Sequence, residues 1–579
     1  MASVAHACLD TVALLTRLVV DFVRSPPPPV LLFLLGPLIL PLVIFELVFA
    51  SRWAVRKAQQ AAQRRCDPLL QLSAAELASR ICSGKLTSRQ LTELAIARLR
   101  QGEEELRLNA VAAARFDAAL READAADAAV ASGSVPTDWR GALWGVPLVV
   151  KECFEMPALP FTAGIGSRRG CTGKALNPAL ARLHGHPLLA TTNVSEACMF
   201  HETANVVYGR TRNPHDVTRS PGGSSGGCAA AVAHCAAPLA VTSDVGGSTR
   251  IPALYCGLFG HKPTGGTVPN SHTLPHVPPD SLVGRFCQLG PTSRHAIDLH
   301  PLLCKLAGPD GCDRMVRPDA KQRLLSIGGD PLSVDVRSLR VLVLSEPFLP
   351  WALRSRLHPD LRRAQAEAAK ALEGLGCEVQ HLDGEAMRRL LPEVPHAFSI
   401  WAAMLGSAQA VPFRRLISDG RPSELSVIGA LREAVTSLVC GGASSRHTLP
   451  AIGLALVEEL DALFPSVRQL MLRRGDALRA RFDALLSDGR TVLLVPSLLT
   501  PAPRHHENLL RFPDAAQTGL FNVMQLPATA VPLAPPRGAQ AGRRASLPLG
   551  CQLVSGFGSD HLTLAVAIAL ERAGVARSW

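Results

Sequence analysis

The sequence predicts an α/β protein with a mostly parallel or mixed central β-sheet and a membrane helix near the N-terminus. Short apolar runs typical of buried strands occur at residues 340–346 (RVLVLSE) and 491–497 (TVLLVPS). Helical stretches alternate with such runs, for example at residues 360–376, where a glycine ends the helix. The pair Thr87 and Gln90 fits a capping box that opens a helix, and alanine-rich helical sequence is predicted to continue to about residue 129. This alternation is typical of an α/β fold. The chain has 579 residues and is 47% hydrophobic, which is enough for a large core.

The membrane segment is predicted from the apolar run at residues 30–50, VLLFLLGPLILPLVIFELVFA. Its length is close to the roughly 20 residues that span a bilayer as a helix. Pro37, Pro41 and Glu46 weaken this interpretation. A buried helix and a monotopic hairpin lying in one leaflet therefore stay open as alternatives.

The basic residues around this run predict its orientation. Only Arg17 and Arg24 precede it, whereas five basic residues follow it: Arg52, Arg56, Lys57, Arg64 and Arg65. Because positive charge favours the cytosolic side, we expect a single-pass protein with its catalytic domain in the cytosol. The membrane would be of the endoplasmic reticulum or lipid-droplet type. The predicted regions are an N-terminal segment (1–29), the membrane helix (30–50), a basic connector (51–70) and one catalytic domain (71–579).

Composition argues against several classes of protein. The formal net charge is +12, but the basic residues are scattered and form no aromatic-interleaved stripe, so no nucleic-acid partner is predicted. The 15 cysteines form no C-x-x-C pair, which favours buried thiols in a reducing compartment. The histidines at 184, 186, 505 and 506 lack the spacing of a coherent metal site. We therefore predict no metal and no cofactor.

Two glycine-serine clusters lie in the segment 220–250, SPGGSSGGCAAAVAHCAAPLAVTSDVGGSTR. Residues 223–227 match G-x-S-x-G, the nucleophile elbow of α/β-hydrolases, which would make Ser225 the nucleophile. That elbow needs a buried strand directly before it, and the sequence there is polar and rich in turn residues. A phosphate-binding loop is excluded because no Gly-Lys-Ser/Thr follows.

Helix and strand lengths bring two other serines of this segment together. Residues 225–235 predict a helix of about 16 Å, and after Pro238 residues 239–244 predict a strand of about 20 Å. A helix followed by a strand of similar length that runs in the opposite direction brings the chain back to where the helix began. Ser224 and Ser248 are therefore expected to lie close together.

The second glycine cluster predicts an oxyanion hole. Consecutive backbone N–H groups that no side chain shields can converge on one oxygen atom. Val245, Gly246, Gly247 and Ser248 would supply these groups. A plain glycine turn stays open as the alternative.

A general base for the serines is sought elsewhere in the chain. Lys151 ends the apolar run 145–152 (GVPLVVKE) and is therefore expected at the end of a buried strand. Burial disfavours a charged ammonium, and a neutral lysine is a competent base. A lysine at a strand end that reaches solvent is the alternative, and the residues alone do not decide between them.

Four motifs in this order resemble the amidase signature family: GVPLVVKE, SPGGSSGG, SDVGGSTR and GHKPT at residues 260–264. The similarity runs from about residue 70 to the C-terminus. It implies the amidase-signature fold, with helices on both sides of a mixed sheet, and a Ser-cisSer-Lys triad. Ser248 would accept the acyl group, Ser224 would relay the proton and Lys151 would be the base. Supporting roles are expected for Ser225, Asp244 and Arg250.

Further segments resemble the branch of this family that hydrolyses fatty-acid amides, among them residues 449–460 (LPAIGLALVEEL) and 496–506 (PSLLTPAPRHH). The resemblance implies a membrane-bound hydrolase of primary fatty-acid amides and N-acylethanolamines. Its expected partners are a lipid amide substrate, the membrane and a second copy of the chain in a homodimer. Alternatives are an amidase of small polar amides, an amidotransferase-type subunit and an inactive membrane scaffold. The segment 171–193 departs from the family pattern at Pro178 and at residues 184–186.

Overall fold

The protein is described by a computed structural model that covers residues 24–45, 66–409, 411–418, 429, 432–433, 445–534 and 547–579. The predictions for residues 1–23, for the end of the apolar run and for most of the basic connector lie outside these ranges. The strands are β1 (Val111–Ala114), β2 (Leu148–Lys151), β3 (Leu188–Thr192), β4 (Ala204–Asn205), β5 (Gly209–Arg210), β6 (Leu239–Asp244), β7 (Phe259–Lys262), β8 (Gln288–Ser293), β9 (Arg340–Leu344), β10 (Glu378–Leu382), β11 (Thr491–Val495), β12 (Ala528–Leu533) and β13 (Leu549–Ser555).

The helices begin before the first strand and occur throughout the chain. They are α1 (Pro29–Phe45), α2 (Ala74–Cys82), α3 (Ser88–Glu105), α4 (Phe116–Ala131), α5 (Pro178–Ala181), α6 (Gly226–Ala233), α7 (Arg250–Tyr255), α8 (Val283–Phe286), α9 (Leu299–Leu306), α10 (Ala320–Leu325), α11 (Pro359–Gly374), α12 (Gly384–Leu390), α13 (Ala397–Ala408), α14 (Phe413–Ile417), α15 (Leu449–Ala462), α16 (Pro465–Leu485), α17 (Ala516–Val523) and α18 (Asp560–Arg572).

One large mixed sheet organises the fold. Within the described ranges it has eleven strands in the order β1-β3-β2-β6-β8-β7-β12-β13-β11-β9-β10, and β4 and β5 form a separate pair. Strands β3, β2 and β6 run parallel to one another, as do β11, β9 and β10. The other neighbours in the large sheet are antiparallel. The prediction of a mixed central sheet is confirmed.

Helices cover both faces of this sheet in the C-terminal half. On β9, Val341 and Val343 pack into one cluster with side chains of α11 and α18. Leu342 and Leu344 point to the opposite face, where they pack with α13, α16 and α17. Because side chains alternate along a strand, a strand covered on both faces is apolar at every position. This explains why residues 340–346 and 491–497 have continuous apolar runs.

The predicted start of α3 is found, and a strand inside the alanine-rich region was missed. Thr87 and Gln90 form both hydrogen bonds of a capping box at the start of α3. The alanine-rich region was predicted to be helical to about residue 129, but it is interrupted by β1, which pairs with the edge of β3. Alanine favours a helix intrinsically, and the pairing with β3 outweighs that preference here.

The segment 171–193 folds compactly despite its unusual sequence. Asn177 caps α5, and β3 is buried along its whole length. Gly185 has a φ of +78°, and a Cβ atom there would come within 2.4 Å of the Trp144 ring. His186 is buried and its Nδ1 contacts the Val146 carbonyl oxygen at 2.9 Å. Burial lowers the pKa of His186 to about 3, so its ring is neutral.

The apolar run near the N-terminus forms α1, which starts one residue before the predicted segment. Ile39 and Val43 of α1 pack against Leu510 of the catalytic body. In the part of the chain that is described, no helix has both the length and the apolar character needed to cross a membrane.

Candidate active site

Lys151 occupies the last position of β2, in the buried interior of the protein. Its Nζ donates hydrogen bonds to Ser224 Oγ (2.7 Å) and to Ser243 Oγ (2.9 Å). β2 lies between the parallel strands β3 and β6, and its side chains are buried along the strand. The alternative of a strand-end lysine that reaches solvent is therefore wrong, and the lysine contacts the serine that the resemblance implied.

Burial and nearby thiols have opposite effects on the pKa of Lys151. Burial lowers the pKa of its ammonium, whereas the thiolate forms of neighbouring cysteines raise it, Cys198 most strongly, and with the thiols ionised the net shift is upward. The thiols of Cys228 and Cys287 have pKa values raised by burial to about 12, so they are uncharged at neutral pH. Where the Cys198 thiol is uncharged as well, burial is the larger effect and favours the neutral amine.

The predicted return of the chain between the two serine clusters is present. α6 runs out from the first cluster, β6 runs back to the second, and the Gly223–Ser224 peptide bond is cis. Ser224 and Ser248 both border one cavity. Ser225 Oγ donates a hydrogen bond to the Ser243 carbonyl oxygen at 3.5 Å.

Asp244 takes one of the N–H groups that were predicted to form the oxyanion hole. Its Oδ1 accepts a hydrogen bond from the Gly247 N–H (2.7 Å), and its Oδ2 accepts one from the Thr249 N–H (3.2 Å). Gly247 has a φ of +120°, and a Cβ atom there would lie 2.2 Å from Thr518 Oγ1. The glycine is thus required by the turn, and its N–H is already engaged.

The carbonyl oxygens of Val245 and Gly246 accept hydrogen bonds from side chains. Trp401 Nε1 donates to the Val245 carbonyl (3.2 Å), and Thr518 Oγ1 donates to the Gly246 carbonyl (2.7 Å). In a trans peptide the N–H points opposite to the C=O, so the Gly246 N–H is directed away from Trp401. Val245, Gly246 and Ser248 remain as the candidate oxyanion donors of the original four.

A buried ion pair between Asp244 and Arg250 stabilises the turn at residues 245–248. Arg250 Nε and Nη2 donate to the two carboxylate oxygens of Asp244, each at 3.0 Å, and both side chains are fully buried. Arg250 also donates to Asn522 (2.7 Å) and Gln552 (2.9 Å). Burial alone would raise the pKa of Asp244, but the Arg250 charge outweighs it and the pKa falls to about 2. Asp244 therefore stays ionised and continues to accept the Gly247 N–H.

A pocket that opens to solvent begins at the serines; about 750 Å³ of space lies between its atoms, part of it open solvent. Ser224, Ser243 and Ser248 border it at the catalytic end. The remaining wall is mainly apolar and comes from distant parts of the chain; it includes Met199, Leu274, Val283, Leu405 and Leu416. The cavity can hold an apolar chain beside the hydroxyl of Ser248.

Sequence reasoning missed several residues of this site. The signal for Ser243 in the sequence was its place at the start of the motif SDVGGSTR. The structure places it near Lys151, because β2 and β6 are parallel and Val150 lies opposite Val241. Trp401, Asn522 and Gln552 had no such signal, since they lie far along the chain in ordinary helices and strands. The described residues hold no group of three or more His, Cys, Asp or Glu side chains placed to bind a metal.

The fold and this site define an amide-hydrolysing enzyme. A family model described as Amidase matches residues 90–564, so the chain belongs to the amidase family whose signature motifs it carries. It is 35% identical to fatty-acid amide hydrolase 2-A of Danio rerio over 88% of this chain and 89% of the relative. It is 34% identical to fatty-acid amide hydrolase 2 of Homo sapiens over 87% of this chain and 90% of the relative. The solved structure described as fatty acid amide hydrolase shares the fold, with a TM-score of 0.64 and 20% identity over 90% of this chain and 89% of that one.

Proposed function

We propose that the protein hydrolyses fatty-acid amides, both primary amides and N-acylethanolamines, through an acyl-enzyme on Ser248. The observation that carries this proposal is the 2.7 Å hydrogen bond between Lys151 Nζ and Ser224 Oγ at the inner end of the apolar cavity. A lysine base, a relay serine and a second serine on the same cavity are the parts that acyl transfer needs. The names of the two relatives support a lipid amide as the substrate.

In the proposed mechanism protons first move from the serines toward Lys151, and a proton later returns from Lys151 to the leaving group. Neutral Lys151 takes the proton of Ser224, and Ser224 takes that of Ser248, whose Oγ attacks the amide carbonyl. The backbone N–H groups of Val245, Gly246 and Ser248 stabilise the oxyanion. Lys151 then returns a proton through Ser224 to the leaving nitrogen, and ammonia or an amine departs. Water hydrolyses the acyl-enzyme by the same proton path.

The length of the acyl chain is expected to govern the rate. Each buried methylene is worth about 0.8 kcal/mol, or about fourfold in kcat/KM when it enters an apolar site. For primary amides from four to twelve carbons we expect kcat/KM to rise at least about a hundredfold. The measurement is ammonia release across the series of chain lengths.

A matched pair of variants tests whether the cavity is responsible. Leu416→Asn changes the cavity wall and is expected to reduce the long-chain preference about tenfold. Leu390→Asn changes an exposed leucine on α12 and should leave the preference unchanged. A preference for acetamide would contradict the proposal and favour an amidase of small polar amides or an amidotransferase-type subunit. An inactive scaffold would show no ammonia release with any amide.

Attachment to a membrane through α1 is a second part of the proposal. One side of α1 packs on the catalytic body, while Phe33 is 83% exposed. α1 also contacts the 3₁₀ turn Trp351–Leu353, in which Trp351 is 72% exposed. Exposed aromatic side chains on an apolar helix favour insertion at a membrane surface. The catalytic domain would face the cytosol, on a membrane of the endoplasmic reticulum or lipid-droplet type.

Vesicle binding tests this attachment on the full chain. The double change Phe33→Asp and Trp351→Asp is expected to weaken co-sedimentation with phosphatidylcholine vesicles about tenfold, because two apolar contacts with the bilayer are lost. Ile327→Asp, at a residue that is 87% exposed on another turn, is the control and should have no effect. Equal binding of all three proteins would contradict attachment through this surface.

A further inference from the structure

Glu196 lies directly beside the cavity, and the proposed hydrolysis does not use it. It begins the 3₁₀ turn Glu196–Cys198. The three residues that follow it border the cavity, namely Ala197, Cys198 and Met199. Glu196 itself is 2% exposed and is not among the residues that line the cavity. A buried carboxylate is therefore attached to the start of one part of the cavity wall.

The Glu196 carboxylate holds the start of α15. Its Oε1 lies 2.7 Å from His447 Nδ1, and its Oε2 accepts hydrogen bonds from the Thr448 N–H (2.7 Å) and the Thr448 hydroxyl (2.9 Å). Thr448 directly precedes α15, and its carbonyl oxygen accepts the Ile452 N–H at 3.0 Å. A carboxylate at the N-terminal end of a helix is stabilised by the helix dipole. These contacts fix the position of α15 relative to the turn.

α15 in turn holds α14, which forms another part of the cavity wall. Glu458 of α15 accepts a hydrogen bond from the Phe413 N–H at the start of α14 (2.7 Å). Phe413 and Ile417 are buried in one apolar cluster with side chains of α15. Leu416, between them on α14, borders the cavity. The position of the wall at Leu416 therefore depends on the position of α15.

On the basis of the fatty-acid amide hydrolysis proposed above, we propose that Glu196 is a positioning residue that determines the preference for long acyl chains. Its backbone leads into the wall at residues 197–199, and its side chain holds α15 and, through α15, the wall at Leu416. One residue thus connects two separate parts of the apolar wall. An acyl chain gains contacts from both parts only when their separation fits the chain.

Glu196→Gln changes this connection with little change in volume. One carboxylate oxygen becomes an NH₂ group, which donates hydrogen bonds and cannot accept them. At least one donor of residues 447–448 then lacks an acceptor in a buried place, so the start of α15 shifts to regain a partner. α14 moves with α15, and the wall at Leu416 loses contacts with the chain. A short acyl chain touches fewer wall residues than a long one and loses less.

The test measures ammonia release from dodecanamide and from butanamide. We expect Glu196→Gln to reduce the ratio of the two kcat/KM values about tenfold, mainly through a higher KM for dodecanamide. The control is Glu571→Gln, which removes the same pattern of contacts elsewhere. Glu571 Oε1 lies 2.9 Å from His295 Nδ1, and Oε2 accepts the Ala296 N–H at 2.8 Å. This control should keep the ratio. An unchanged ratio in Glu196→Gln would overturn the positioning role.

A milder variant applies if Glu196→Gln does not fold. Thr448→Val removes one of the three hydrogen bonds to Glu196 and keeps the backbone N–H. It is expected to lower the ratio of dodecanamide to butanamide hydrolysis about threefold. A ratio equal to that of the unaltered protein would contradict the proposal.

A double variant tests whether Glu196 acts through the wall at Leu416. Leu416→Asn already reduces the long-chain preference, so a residue that acts through Leu416 has little left to change. Glu196→Gln combined with Leu416→Asn should therefore match Leu416→Asn alone within about twofold. Independent effects would multiply to a loss of about a hundredfold, and that result would overturn the proposed positioning.

Binding of a fluorescent fatty acid separates this proposal from the proposed hydrolysis. The probe is 11-(dansylamino)undecanoic acid, titrated into the full chain carrying Ser248→Ala. Adding Glu196→Gln should raise its Kd about tenfold, and adding Glu571→Gln should not. If no amide is hydrolysed but this difference is found, only the proposed function is wrong. Equal Kd values for all three proteins would overturn the positioning role, whatever the enzyme hydrolyses.

Discussion

Replacing Ser248 by alanine is expected to lower kcat/KM for a long-chain primary amide by about 10⁴-fold or more, because no hydroxyl is left to form the acyl-enzyme. Ser248 borders the cavity next to Ser224, which holds the hydrogen bond to Lys151. The backbone donors of the turn remain in place in this variant. The measurement is ammonia release, together with labelling by a fluorophosphonate, which reacts with an activated serine.

Ser225→Ala is the matched control, and it decides between two assignments of the nucleophile. Ser225 occupies the serine position of G-x-S-x-G, but its Oγ donates a hydrogen bond to the Ser243 carbonyl oxygen, at 3.5 Å. We expect this variant to keep fluorophosphonate labelling and to lose no more than about tenfold in kcat/KM. If labelling is lost in Ser225→Ala and kept in Ser248→Ala, the nucleophile-elbow interpretation is correct and the proposed mechanism is wrong.

Replacing Lys151 by alanine is expected to reduce amide hydrolysis far more than ester hydrolysis. General acid–base catalysis contributes about 10²–10⁴-fold. An amide needs both parts of it, because the leaving nitrogen must receive a proton, whereas an alkoxide leaves more readily without one. We expect amide turnover to fall by about 10³–10⁴-fold and turnover of the matched methyl ester to fall at least tenfold less. The measurement is the ratio of the two kcat/KM values for the same acyl chain.

Lys262→Met is the control for removal of a buried lysine. Lys262 is fully buried, burial lowers its pKa to about 7, and its Nζ donates to the Pro263 carbonyl oxygen at 2.8 Å. It does not border the cavity, so its removal should change the amide and ester rates by the same factor. Rates are expressed per mole of folded protein, taken from the amplitude of the thermal unfolding transition, which corrects for loss of folded protein. Equal losses on the two substrates in Lys151→Ala would show that Lys151 does not protonate the leaving group.

Local sequence patterns were sufficient to predict those helices and strands whose formation depends on residues close in sequence. Continuous apolar runs predicted β9 and β11, because strands covered on both faces have no polar side. The small residues and Pro238 predicted that α6 runs out and β6 returns, because helix and strand have known rises per residue. The capping residues Thr87 and Gln90 predicted the start of α3 through hydrogen bonds made within four residues.

Other features depend on partners that are distant in sequence. β1 has an alanine-rich sequence and forms a strand because β3 offers it an edge. The Gly247 N–H was predicted to face the substrate, but Asp244 accepts it, and Asp244 is held in turn by Arg250, Asn522 and the far strand β13 through Gln552. A short sequence motif does not indicate which acceptor will form a hydrogen bond with a given backbone N–H group.

The sequence by itself predicted the α/β class from the alternation of helical and strand-like runs, and its four short motifs indicated the family. The set of Lys151, Ser224 and Ser248 was predicted from the resemblance to that family. Only the tertiary structure decided that Lys151 is buried against Ser224 and Ser243 and that the Gly247 N–H is engaged. It also decided that distant residues such as Met199, Leu274 and Leu405 line one mainly apolar cavity. The physical reason is that hydrogen-bond partners and cavity walls are set by packing between elements, and packing joins residues hundreds of positions apart.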